Sequence, residues 1–75
     1  MTVKQILLKI DKVVASSLDM AGVFRLFECK DELEATGTLS DKIIQELEKE
    51  KPYIRDGSVY FCYEALIKMF SGEGK

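Results

Sequence analysis

Few residues of this sequence could perform chemistry, because the chain contains no histidine. Histidine is the usual general base of enzymes and a common zinc ligand, so its absence removes most nucleophilic arrangements and most zinc sites. The five glycines are scattered along the chain and form no phosphate-binding loop. We therefore expect no enzymatic activity, no catalytic residues, no cofactor and no small-molecule ligand.

The remaining candidates for chemistry are two cysteines and one acidic run. Cys29 and Cys62 stand far apart without a CxxC spacing, which predicts free thiols in a reducing compartment, with a Cys29–Cys62 disulfide as the alternative. The run Asp31-Glu32-Leu33-Glu34 has the carboxylates that a divalent cation needs, but the sequence fixes no second carboxylate group opposite it. We interpret this run as a solvated helix end and expect no metal site.

The charge distribution bears on the class of partner. The formal net charge is −2, and residues 26–50 hold eight acidic side chains against three basic ones. Because phosphate contacts come mainly from Lys and Arg, this balance disfavours a general nucleic-acid binder. The N-terminal stretch lacks the features of a signal peptide, and no apolar run approaches a membrane span. The expected location is the cytoplasm, without membrane contact.

Apolar periodicity predicts the elements that would position a site, within one small domain over residues 1–70 and a flexible tail over residues 71–75. A first helix follows from six apolar residues at helical spacing: Val3, Ile6, Leu7, Ile10, Val13 and Val14. Asp19 is a good N-cap for a second helix over about residues 20–29. Residues 30–34 are strongly polar and either continue this helix or begin another short one, which Gly37 is placed to end. A third helix is predicted over residues 39–50, capped by Thr38 or Ser40 and ended by Pro52.

Residues 53–61 allow two interpretations. Asp56-Gly57 lies between two β-favouring trios, which predicts a β-hairpin with a type I′ turn and positive φ at Gly57. A final helix would then follow, with Tyr63, Leu66, Ile67 and Phe70 on one face. In the alternative, Ser58 is the N-cap of a helix that begins there, and no hairpin forms.

The order of elements in residues 32–70 resembles a winged helix-turn-helix domain. Residues 34–44 are similar to the turn of that motif, and residues 53–61, followed by 64–66, look like the wing and trailing helix of excisionase-like and MerR-like domains. The resemblance implies a mainly α fold with one small β-hairpin and an extra N-terminal helix, the alternative being an all-α four-helix bundle. It also implies DNA contacts from Lys42, Gln45, Lys49 and, in the wing, Arg55.

The function that the composition favours is binding to another protein. Apolar residues make up 47% of the chain, more than so short a chain readily hides. We therefore expect a regulatory or adaptor protein that forms a homodimer or binds a protein partner through four residues of the first two helices: Leu8, Val23, Phe24 and Phe27. A small DNA-binding regulator is the alternative.

The polar face of the first helix also bears on binding. Lys4, Lys9 and Lys12 lie on this face, and Leu8 is isolated among them. This pattern fits a surface for an anionic partner or a membrane, and it also fits an ordinary helix made soluble by lysines.

Overall fold

The computed structural model of the protein describes residues 1–71 as four α-helices joined by short turns. In chain order the elements are α1 (Val3–Ser16), α2 (Met20–Thr36), α3 (Asp41–Glu50), a 3₁₀ turn (Lys51–Tyr53) and α4 (Gly57–Phe70). These 71 residues contain no β-strand. The fold agrees with the all-α four-helix alternative, and the predicted winged-helix-like fold with a β-hairpin is wrong.

The hairpin fails because Asp56-Gly57 starts a helix instead of making a turn. The Asp56 carboxylate accepts hydrogen bonds from the backbone N–H groups of Ser58 and Val59, at 2.9 and 3.4 Å, which makes Asp56 the N-cap of α4. Gly57 does not have a positive φ. The buried residues that follow have helical rather than alternating spacing: Val59, Cys62, Tyr63, Leu66 and Ile67. The alternative interpretation, a helix without a hairpin, is therefore confirmed. Its N-cap is Asp56, two residues before the predicted cap Ser58.

The Asp19 cap and the Gly37 stop are confirmed, and residues 30–36 continue the second helix instead of forming a separate one. Asp19 is its N-cap and accepts a hydrogen bond from the Gly22 N–H at 3.1 Å. Gly37 has φ 78°, the left-handed conformation that commonly ends helices. The helix continues to Thr36 because Leu33 is buried and anchors the polar last turns in the core.

All four helices contribute to one hydrophobic core. α1 packs against α2 and α4, and α3 packs against α4. The fully buried large side chains of this core are Ile6, Ile10, Leu26, Leu47, Tyr63 and Leu66. Gly22 lets α2 approach α4 closely, since a Cβ atom at this position would lie 2.6 Å from Val59 Cγ1. This approach fixes which side of α2 faces the bundle.

Ser71 is the C-cap of α4, and the rest of the predicted flexible tail lies outside the described residues. None of the helices in residues 1–71 has the length and apolar character needed to cross a membrane.

Candidate protein-interaction surface

The outward side of α2 exposes large apolar side chains near its N-terminal end. Met20, Phe24 and Phe27 are spaced i, i+4 and i+7, so they share one face of the helix. Phe24 is 64% exposed at the middle of this row, and Leu18, in the turn before the helix, is 93% exposed. We call Leu18, Met20, Phe24 and Phe27 the α2 patch. Exposed Phe and Met side chains are types enriched at protein interfaces.

The patch exists because α2 carries two apolar stripes. One stripe, ending in Leu26, Cys29 and Leu33, is buried in the core. A helix at the surface of a small bundle buries only one side, so the second stripe, of Met20, Phe24 and Phe27, stays in solvent. The second stripe therefore contributes nothing to the core of a single chain.

The four residues predicted for a protein interface are found in three different environments. Phe24 and Phe27 lie in the α2 patch. Leu8 is also exposed, but on the outward face of α1. Val23 is only 3% exposed and lies on the buried side of α2, so its side chain is not accessible to a partner.

The two other members of the patch, Met20 and Leu18, were not among the residues predicted for an interface. The signal that separates Met20 from the core is the buried stripe of Leu26, Cys29 and Leu33, which continues further along the helix than the stripe of Met20. Leu18 has no such periodic signal because it lies in a turn.

A fixed polar rim borders the patch on the side of α3. Arg25 donates hydrogen bonds from Nε and Nη2 to the two carboxylate oxygens of Glu50, at 3.1 and 2.8 Å, and it also pairs with Glu28. The hydrogen bond to Glu50 is the main reason that the pKa of Arg25 is raised. A shallow depression of about 250 Å³ beside this rim is lined by Ala21, Phe24, Arg25 and Glu28. The rim therefore gives Phe24 a rigid, charged border.

The predicted DNA contacts are all exposed. Lys42, Gln45 and Lys49 are spaced i, i+3 and i+7 on α3 and share one face of this helix. Arg55 lies between the 3₁₀ turn and α4, and it belongs to no wing. Lys49 Nζ lies 3.8 Å from a carboxylate oxygen of Glu46. The structure therefore brings together three of the four residues and leaves Arg55 on a different element.

The two thiols are free, as predicted, and both are buried. Burial raises the pKa of Cys29 to about 12 and that of Cys62 to about 11. Thiols with such pKa values are not nucleophiles near neutral pH, because the thiolate is the reactive form. Within residues 1–71 no group of three or more His, Cys, Asp or Glu side chains could hold a metal ion.

Comparison with family models, curated proteins and solved structures finds no match for this chain. These comparisons leave the resemblance of residues 32–70 to winged helix-turn-helix domains untested.

Proposed function

We propose that this protein is a non-enzymatic regulatory or adaptor module that works through protein–protein contacts, and that a second copy of the chain covers the α2 patch. The observation that carries the proposal is the exposure of Phe24 between Met20 and Phe27 on one helical face. Contiguous exposed apolar side chains with a charged rim are typical of protein interaction sites.

The size of the patch supports a contact between two folded copies. At their exposed fractions the four side chains leave on the order of 400 Å² of apolar surface in water. Complete burial on both copies would remove on the order of 800 Å² of apolar surface from water. This is about half the area of a standard protein–protein interface, and area alone does not set affinity, so the α2 patch supports a weak, reversible dimer.

The charge pattern of α2 favours an antiparallel contact between copies. The apolar residues occupy the first half of the outward face, and the second half carries Glu28, Asp31 and Glu34. Two antiparallel α2 helices that cross near Phe24 would bring the apolar halves together and keep the acidic halves apart. Parallel helices would align like charges, which costs free energy. The antiparallel contact is also isologous, so it closes as a dimer.

Sedimentation equilibrium of the full chain and of a Phe24→Glu variant tests this proposal. We expect a wild-type dimer, and we expect Phe24→Glu to be a folded monomer because it places a charge at the centre of the contact. Tyr53→Glu is the matched control, since Tyr53 is 82% exposed on the 3₁₀ turn, away from α2. A wild-type monomer at about 500 µM, where a dissociation constant near 1 mM is still detectable, would contradict the proposal.

DNA binding is the second candidate function, supported by the exposed face of α3. Lys42, Gln45 and Lys49 share this face, and α3 follows α2 after the four-residue turn 37–40, the connection typical of a helix-turn-helix. Such a contact would use α3 alone, without a wing. Lys42→Ala and Lys49→Ala should each reduce by about one the slope of log affinity for duplex DNA against log salt concentration. Unchanged binding in both variants would exclude this role for α3.

A further inference from the structure

The outward face of α1 is basic and has an apolar residue at its centre. α1 carries Lys4, Lys9 and Lys12 against the single acid Asp11, and of the four helices in residues 1–71 it alone has a net positive charge. Leu8 is 56% exposed and lies one helical turn from Lys4 on one side and one turn from Lys12 on the other. We call Lys4, Leu8, Lys9 and Lys12 the α1 face.

The lysines of the α1 face have no carboxylate partner among the described residues, whereas Asp11 at its edge is already paired. Asp11 accepts a hydrogen bond from Lys30 Nζ at 2.6 Å. Other basic side chains are paired as well, on α2, α3, α4 and the 3₁₀ turn: Arg25, Lys30, Lys49, Lys51 and Lys68. The three lysines of α1 are therefore available to carboxylates from another molecule.

The same face has a shallow, open surface depression. Its volume is about 570 Å³, and it is lined by Met1, Gln5, Leu8, Lys9 and Lys12. Lys9 Nζ lies 5.4 Å from the ring centroid of Phe61 on α4, a cation–π contact that directs this lysine toward α4. Phe61 is itself exposed, so it adds apolar surface next to the Lys9 ammonium.

We infer that the α1 face is a second binding surface, separate from the α2 patch, and that it takes an acidic segment of a partner protein with one apolar anchor. Lys4 and Lys12 are eight residues apart on α1, which corresponds to about 12 Å along the helix. A matching helical segment carries a Leu or Phe that packs on Leu8 and a carboxylate about one turn away on each side. The apolar anchor gives affinity, and the carboxylates select the orientation.

Charge argues for a protein segment rather than a polyanion. Outside Lys4, Lys9 and Lys12 the chain has 8 basic and 13 acidic side chains, so a long polyanion bound at the α1 face would meet repulsion beyond it, whereas a short segment contacts this face alone. An acidic segment with an apolar anchor needs only local carboxylate contacts and the burial of Leu8. A second copy that placed its acidic α2 half on this face would make a head-to-tail contact, which produces open chains unless the rotation closes.

Fluorescence anisotropy with a synthetic helical peptide of about 15 residues tests the inference. The peptide has a central Leu and a Glu four residues before and after it, and a second peptide has Lys in place of both Glu residues. We expect the Glu peptide to bind more tightly than the Lys peptide, and the difference to shrink as salt concentration rises. The Phe24→Glu variant should bind it equally well, which separates this inference from the proposed α2 contact.

Two variants locate the binding face. A Lys4→Glu, Lys12→Glu double variant should weaken binding about tenfold or more, because it reverses both flanking charges. The matched control is Lys42→Glu, Lys49→Glu, which changes the net charge equally on α3 and should weaken binding much less. Leu8→Ser should weaken binding of the Glu peptide at high salt as well as at low salt, because it removes the apolar contact.

Several results would overturn the inference. They include equal binding of the two peptides, an equal loss in the α1 and α3 double variants, and an unchanged affinity in Leu8→Ser. Binding of anionic phosphatidylserine vesicles without binding of the Glu peptide would assign the α1 face to lipid. Concentration-dependent chain growth that the α1 double variant abolishes would assign it to a second copy.

Discussion

Arg25 and Glu50 form a two-point hydrogen bond that joins α2 to the end of α3. Arg25 Nε donates to Glu50 Oε1 at 3.1 Å, and Nη2 donates to Oε2 at 2.8 Å. Tyr63, which is fully buried on α4, donates its hydroxyl hydrogen bond to the same Glu50 Oε1 at 2.9 Å. The Glu50 carboxylate therefore joins α2, α3 and α4, and it accepts the hydrogen bond of the buried Tyr63 hydroxyl.

Replacement of this carboxylate should destabilise the whole bundle. Glu50→Gln keeps the size of the side chain but removes the charge that accepts two donors from Arg25. We expect the free energy of unfolding to fall by about 1–2 kcal/mol, after allowance for the partial exposure of the pair. Urea unfolding at neutral pH measures this change. Glu48→Gln, an exposed neighbour on α3, is the control and should change the stability by less than about 0.5 kcal/mol.

The effect of Glu50→Gln should also depend on pH. The hydrogen bond from Arg25, and then that from Tyr63, lowers the pKa of Glu50 in the folded state. A carboxylate with a lowered folded-state pKa stabilises the fold above its unfolded pKa of about 4.3, and this stabilisation disappears as pH falls through the lowered value. The difference between wild type and variant should therefore be constant above about pH 5.5 and shrink in more acidic solution. A difference that grows on acidification would contradict this assignment.

The local signals in the sequence predicted most of the helical structure. The apolar spacing of the first and third helices, the Asp19 cap and the Gly37 stop each depend on residues within one or two helical turns. The error at Asp56-Gly57 has a physical cause, because an Asp that tolerates a tight turn is also a strong helix N-cap. Burial of Val59 and Cys62 in the core selects the helix over the tight turn. This packing joins residues far apart in the sequence, so it is not a local signal.

The candidate surface was predictable only in part for the same reason. The high apolar content of the chain predicted exposed apolar residues such as Phe24 and Phe27. The sequence did not show which of the two apolar stripes of α2 faces the core. The inward side includes Gly22, which allows close contact with Val59 on a helix 37 residues further along the chain, so the choice of side depends on packing between distant residues. The rim formed by Arg25 and Glu50 joins residues 25 positions apart, so no local pattern indicates it.

Glycine substitutions distinguish the observed helix start from the expected hairpin. Gly57→Ala should raise the free energy of unfolding by up to about 1 kcal/mol, because Ala favours the helix and nothing lies within 4 Å of a Cβ atom there. Gly37→Ala should lower it by about 1 kcal/mol, because Gly37 has φ 78°. Chemical denaturation of both variants measures the changes. If Gly57→Ala lowers the free energy of unfolding, the result would support the type I′ turn and contradict a helix that begins at Gly57.

The capping role of Asp56 gives a second test of the same region. Asp56→Ala removes the acceptor for the Ser58 and Val59 N–H groups and also the acceptor for Ser17 Oγ, which lies 2.8 Å away in the turn between α1 and α2. We expect a clearly lower midpoint of thermal unfolding, whereas Ser58→Ala, an exposed position inside α4, should leave the midpoint nearly unchanged. A larger effect of Ser58→Ala would identify Ser58 as the cap.

The effect of Asp56 should also weaken in acid. Hydrogen bonds from Ser17 and from the backbone N–H groups of Ser58 and Val59 lower the pKa of Asp56 in the folded state. Its contribution is therefore complete above the unfolded pKa of an aspartate, about 3.9, and is lost as pH falls through the lowered folded value. Thermal melts of Asp56→Ala and wild type should converge toward pH 2. If the difference between the two unfolding midpoints stays constant across this pH range, the carboxylate charge of Asp56 does not cap α4.

The buried thiols predict slow alkylation of the native protein. Burial raises the pKa of Cys29 to about 12 and that of Cys62 to about 11, from ordinary values near 9, so their thiolate fractions fall roughly a thousandfold and a hundredfold. At pH 8, iodoacetamide should modify both residues far more slowly than it modifies glutathione. In denaturant without reductant, mass spectrometry should find two adducts. Rapid modification of the native chain would contradict the packing of α2 against α4, and a mass two daltons low with no adducts would indicate a disulfide.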